Sequence, residues 1–195
     1  MHSIIHNLDK NLLIYMENIM FDFIEKLDLK AAKYINSHFQ NKAMDIIMKF
    51  FTYLGNVGLI WIGISIFFIL RHESRQIGIT IIAALLITSI LGEGIIKHIV
   101  KRKRPFIKMN LCDQLIIGTP SSYSFPSGHT ASSFAVSAVF VAIDSNISTI
   151  IIAISTLIAL SRIYLKVHYV SDVIGGAILG LLCGTFTAYL FNMII

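Results

Sequence analysis

The stretch Phe125–Ser132, FPSGHTAS, opens an apolar run that continues to Ile143. It puts Pro, Ser, Gly and an ionisable His where a hydrophobic helix begins. A helix that only had to cross lipid would do better with four ordinary hydrophobes, because polar and ionisable groups are costly in hydrocarbon. Pro fixes φ and Gly removes Cβ, so the stretch reads as a helix N-terminus. There the free backbone N–H groups and the positive end of the helix dipole receive an anion, and the Ser127 hydroxyl adds a donor.

The surrounding chain says where such a helix sits. Of 195 residues, 55% are hydrophobic and 14% charged. Five runs lack Asp, Glu, Lys and Arg: Phe50–Leu70, Gln76–Gly92, Gln114–Ile143, Ser145–Ser161 and Val173–Ile195. Each has about 17 residues or more, enough to cross ~30 Å of hydrocarbon. A soluble α-helical domain of this length would not need five. The expected fold is all-α: a polytopic membrane helical bundle of about five transmembrane helices with amphipathic helices before them.

Residues 1–49 mix charge with Leu12, Leu13, Met16, Ile19, Phe23, Ile24 and Leu27 at helical spacing. That pattern predicts one or two helices lying on the membrane surface; Glu17, Asp22 and Glu25 make a sixth span expensive. The N-terminus has no basic n-region, and Asp9, Lys10 and Glu17 interrupt any apolar core, so no secretory signal is expected. No linker divides the chain, and residues 1–195 read as one domain. Cys112 and Cys183 make no disulfide framework.

Charge is uneven. The net charge of +5 belongs to the second half, and six of its basic residues crowd into Lys97–Lys108, KHIVKRKRPFIK. Three readings compete: a topology signal, an anchor for anionic headgroups, and a site for a phosphorylated ligand. Nucleic acid is not expected as a partner of so short a cluster against a membrane.

With five spans, the segment 97–124, the start of span three and the turn 161–172 fall on one face of the bilayer. Lys97, Arg104, Ser127, Gly128, His129, Arg162, His168 and Asp172 are predicted to meet there. His168 and Asp172 are four apart, so on a helical turn the carboxylate reaches one imidazole nitrogen and leaves the other free to attack. His129 would protonate the departing oxygen. The basic residues would neutralise developing charge, so no metal or other cofactor is required. A metal site of His129, His168 and Asp172 is the competing reading, against which three flanking cations would repel a divalent ion.

These residues also carry a resemblance. Lys97–Pro105 fits Lys-x6-Arg-Pro, Pro126–His129 is Pro-Ser-Gly-His, and Ser161–Asp172 fits Ser-Arg-x5-His-x3-Asp. Together they resemble the three-part signature of the type 2 phosphatidic acid phosphatases, the lipid phosphate phosphatase superfamily. That group includes glucose-6-phosphatase and the soluble vanadium haloperoxidases. The signature spans residues 97–172, and the spans around it look like the small bacterial membrane branch.

The resemblance implies an acid phosphatase/vanadium haloperoxidase-like core in which His168 is the nucleophile, Asp172 its orienting partner and His129 the acid/base. It implies Lys97, Arg104, Ser127, Gly128 and Arg162 as the phosphate-binding set. It further implies hydrolysis of a lipid phosphate or diphosphate, with undecaprenyl diphosphate ahead of phosphatidylglycerophosphate and phosphatidic acid. The site would face the extracytoplasmic side of the cell membrane, although a count of loop cations alone would put it inside. A lipid phosphotransferase is the enzymatic alternative. A transporter or lipid-binding scaffold is the non-enzymatic one, and would not require the His168–Asp172–His129 set. Gly176, Gly180 and Gly184 predict close helix packing under any of these functions.

Overall fold

The computed structural model describes residue 19 and residues 22–35, 37–112 and 115–191. Among these every regular element is helical. Residues 22–35 form helix α1, followed by α2 (Lys42–Leu54), α3 (Leu59–Leu70) and α4 (Arg75–Ser89). A π-helical turn, Ile90–Ile96, joins α4 to the short α5 (Lys97–Val100). Then come α6 (Pro105–Lys108), α7 (Gly128–Ala142), α8 (Ser148–Tyr164) and α9 (Val170–Leu190).

By length and composition, His72–Lys108 and Val170–Leu190 are each able to cross a membrane, and α2 with α3 make a third across a 44° bend. Helices α7 and α8 are apolar but shorter. The bundle is fastened by a buried cluster of Trp61, Ile81, Val136, Val139, Phe140, Ile151 and Ile158. Trp61 Nε1 donates to Ser133 Oγ at 3.0 Å, which satisfies the indole where no water competes. Phe67, Leu70, Ile178, Leu182 and Phe186 stay exposed on the outside, as residues facing acyl chains do.

The apolar run beginning at Gln114 turns out to hold much less helix than its length suggests. Helix α7 starts only at Gly128, and residues 115–127 form a loop. Pro120 and Pro126, with serines at 121, 122, 124 and 127, deny that segment a helical hydrogen-bond ladder. The loop lies over the polar end of the bundle instead.

Helices α7 and α9 make the tightest joint. A Cβ added at Gly176 would come 2.6 Å from Ser127 O. At Gly180 it would collide with Ala131 O and stand 2.9 Å from Ala135 N; at Gly184 it would collide with Ala135 O. The obstacles are backbone atoms, which have nowhere to go. Gly63, on α3, has open space around the same position. Gly180→Ala is therefore expected to destabilise the protein by ~1–3 kcal/mol as overpacking does, and Gly63→Ala to leave it unchanged. Thermal unfolding in detergent reads both, and equal midpoints would refute the joint.

Candidate active site

Six of the eight residues singled out in the sequence line one cavity of about 520 Å³: Lys97, Arg104, Gly128, His129, Arg162 and His168. The other two stand behind it. Ser127 is buried at the N-cap of α7, where its Oγ accepts from Thr130 Oγ1 at 2.9 Å. Asp172 is wholly buried in the first turn of α9.

His168 does not share a helix with Asp172. It sits in the turn after α8, two residues before α9 begins, so the shared helical face read from the spacing is absent. The pair meets by another route. Asp172 reaches back over the helix start, where its Oδ2 accepts from Tyr169 N at 2.9 Å and from Ser124 Oγ. The same oxygen lies 3.6 Å from His168 Nδ1, just beyond a hydrogen bond. Nδ1 is buried and has no other partner among the described residues. Apo sites often hold such contacts long until substrate tightens them.

The far side of the ring defines its chemistry. Arg104 Nη1 approaches His168 Nε2 at 3.2 Å. A guanidinium can only donate, so Nε2 presents its lone pair and the proton belongs on Nδ1, facing Asp172. That tautomer aims a nucleophilic nitrogen into the cavity.

Three cations surround it. Arg104 is fixed by carbonyls: Nε donates to Ser122 O at 2.8 Å and Nη1 to Val167 O at 2.8 Å. Lys97 Nζ donates to Glu93 at 2.8 Å and to Ser122 Oγ at 3.2 Å. Arg162 Nη1 donates to Thr52 Oγ1, but its buried Nε has no acceptor among the described residues. An unpaired buried donor beside two more cations and a helix N-terminus is a surrounding that an oxyanion would complete. Opposite, His129 Nε2 donates to Asn56 Oδ1 at 2.9 Å.

Burial pushes the His168 imidazolium down to about 3, with the Arg104 and Arg162 guanidiniums adding to the effect and Asp172 opposing it. Between there and its ordinary 6.5 the unfolded chain binds a proton that the folded one does not. This histidine therefore makes stability fall as the pH drops through that window. His168→Asn removes the group, so its thermal midpoint should decline less steeply than wild type between those values. Parallel slopes would contradict the buried neutral ring.

Over residues 75–195 the sequence matches the PAP2 superfamily. The chain belongs to that superfamily. An undecaprenyl-diphosphatase of Sulfolobus acidocaldarius is 34% identical over 123 residues, 62% of this chain and 58% of that one. A transmembrane PAP2-type phosphatidylglycerolphosphate phosphatase of Bacillus subtilis has the same fold at a TM-score of 0.75 with 24% identity, covering 94% of this chain and 93% of its own. Aquifex aeolicus LpxE superposes at a TM-score of 0.68 with 30% identity, over 84% and 95% of the two chains. With its apolar helices, the chain is a membrane protein.

The structure adds residues to the candidate site that sequence reading passed over. Glu93 is one, and its spacing of four from Lys97 was a usable signal. Its carboxylate also lies against Gly128, where any Cβ would meet it. Asn56 comes from the bend between α2 and α3, 73 positions from its partner His129, and no local pattern announces it. Ser122 and Ser124 are two more: Ser122 contacts Lys97 and Arg104, and Ser124 Oγ donates to Asp172. The basic cluster also divides: Lys97 and Arg104 face the cavity, Arg102 turns toward Asp172, and Lys108 pairs with Glu25.

Proposed function

We propose that the protein is a membrane lipid phosphatase that hydrolyses the terminal phosphate of a lipid phosphate or diphosphate through a phosphohistidine. The observation that carries this reading is His168 Nε2, presented as a lone pair at Arg104 within a cavity lined by three cations. In the first step Nε2 attacks phosphorus, the N–P bond forms, and the P–O bond to the lipid breaks. His129 delivers a proton to the leaving oxygen while Asn56 holds its ring. In the second step His129 takes a proton from water, the water oxygen bonds to phosphorus, and the N–P bond breaks to release phosphate.

Lys97, Arg104 and Arg162, with the head of α7 at Gly128, would bind the phosphoryl oxygens and the charge that builds on them. Ser127 would act from behind, by fixing the start of α7. Asp172 would hold the ring and its tautomer. Residues 97–172 would then supply the nucleophile, the acid/base and the phosphate-binding cations within a single domain.

For the lipid we favour undecaprenyl diphosphate, with phosphatidylglycerophosphate second. Support comes from the names of the similar proteins and from the cavity itself, where Ile62, Ile82, Leu85 and Leu86 continue from the cations as an apolar wall. A hydrocarbon chain fits such a wall, and the phosphate fits the charged end.

Purified protein in detergent with EDTA should release phosphate from one or both lipids, and His168→Ala should reduce the rate by ~10⁴-fold or more as loss of a covalent nucleophile does. Full activity in that variant would refute the mechanism. Transfer to an added lipid alcohol in place of release would identify a phosphotransferase.

We also propose that the site opens on the extracytoplasmic side of the cell membrane. Cys112 is exposed and belongs to the connection that also carries Ser122, whereas Cys183 is buried in α9. A membrane-impermeant maleimide added to intact bacterial cells should label Cys112. Labelling only after lysis would reverse the orientation.

A further inference from the structure

Arg102 belongs to the basic cluster yet does not line the cavity. Its guanidinium is spread between two carboxylates: Nη1 donates to Asp172 Oδ1 at 2.6 Å and Nη2 to Asp28 Oδ2 at 2.7 Å. Nη1 also reaches Ser171 Oγ at 2.7 Å, and the plane lies over the Tyr169 ring, 4.1 Å from its centre. Asp28 is buried on α1, and its Oδ1 accepts from Ser171 N at 3.1 Å.

The two oxygens of Asp172 are thus divided. Oδ1 belongs to Arg102, and Oδ2 takes Tyr169 N and Ser124 Oγ while facing His168. A carboxylate held on one oxygen cannot turn the other away from the ring. Removing Arg102 leaves that rotation opposed only by the two bonds on Oδ2, and leaves a buried charge without its charged partner. Removing Asp28 takes away the second anchor of the same guanidinium.

We propose that Asp28 and Arg102 form a positioning arm, through which helix α1 fixes the aim of Asp172 at His168. The proposal deepens the phosphatase reading and rests on it. It gives residues 22–35 a part in catalysis although they precede the segment that matches the superfamily. The arm acts on the turnover step and not on substrate binding, because neither residue touches the cavity.

Steady-state phosphate release by Arg102→Gln, Asp28→Ala and the double variant tests it. Arg102→Gln should lose about 10²-fold in kcat, the scale of a small misplacement at the reacting centre, with KM within about twofold. Asp28→Ala should lose about tenfold, and the double variant should be no slower than Arg102→Gln, since both act through one path. Wild-type kcat in Arg102→Gln, a rise in KM at unchanged kcat, or losses that multiply in the double variant would each overturn the arm.

Should Arg102→Gln fail to fold, Arg102→Lys takes its place. An ammonium lacks the planar fork that meets the two carboxylates in fixed directions, so a loss of about tenfold in kcat is expected and full activity would overturn the arm. Phosphate release by the wild type, measured alongside, reports on the phosphatase reading separately. If the wild type releases none, tryptic cleavage at Lys26, Lys30 and Lys33 still tests the docking of α1. Asp28→Ala must accelerate it, and unchanged cleavage would overturn the arm.

Discussion

The site depends on how closely α7 and α9 approach. In a bilayer no hydrophobic gain drives helices together, since lipid tails are as apolar as leucine, so close backbone contact must supply the attraction. Gly176, Gly180 and Gly184 meet the backbone of Ser127, Ala131 and Ala135, and the joint ends in a hydrogen bond from Ser127 N to Asp172 O at 3.0 Å. The two helix heads are thereby held edge to edge. One carries Gly128 and His129, the other Asp172 with His168 just ahead of it. A slip of one turn along this joint, ~5.4 Å, would part the carboxylate from the anion cradle. The packing at mid-membrane is thus also what assembles the polar end.

Charge is the second constraint. Lys97, Arg104 and Arg162 are all buried, and an unpaired buried cation costs several kcal/mol. The fold offsets this unevenly. Arg104 is wrapped in carbonyls and Lys97 has Glu93, but Arg162 keeps a donor without an acceptor among the described residues. That remaining deficit is useful in a site of this kind. Donors fixed by the fold need not reorganise when negative charge arrives, and the energy of burying them is recovered only with an anion in place. The loop 115–127 sustains the arrangement, because its Ser122 contacts both Lys97 and Arg104.

The sequence was most legible where physical chemistry is local. Runs of apolar residues announced the helical bundle, and the Pro-Ser-Gly-His stretch announced the head of α7 at Gly128. It was misleading where an apolar run contained its own breakers, as between Gln114 and Ser127. The spacing of His168 and Asp172 indicated the right contact for the wrong reason, because the carboxylate reaches back as a helix cap and does not share a face with the ring. Asn56, Asp28 and Arg102 were illegible for a different reason. Each acts through a partner 70 or more positions away, and only the packed bundle brings such pairs together.

The backbone records where the fold holds strain. Among the described residues, five non-glycine positions have left-handed φ: Val57, Lys101, Asn110, Asp144 and Lys166. Asn and Asp tolerate this region through their short polar side chains, so Asn110 and Asp144 need no special account. The other three all adjoin the site. Val57, whose branched Cβ makes φ of 53° costly, follows Asn56, the partner of His129. Lys101 ends α5 just before Arg102, and Lys166 turns the chain two residues before His168. Strain of this kind persists only where neighbouring structure overdetermines it. Here the neighbours are the apolar helices, whose ends are fixed by the core around Trp61 and by the α7–α9 joint. The short turns between them must then reach the cavity by whatever backbone path is left, and these three residues lie on that path.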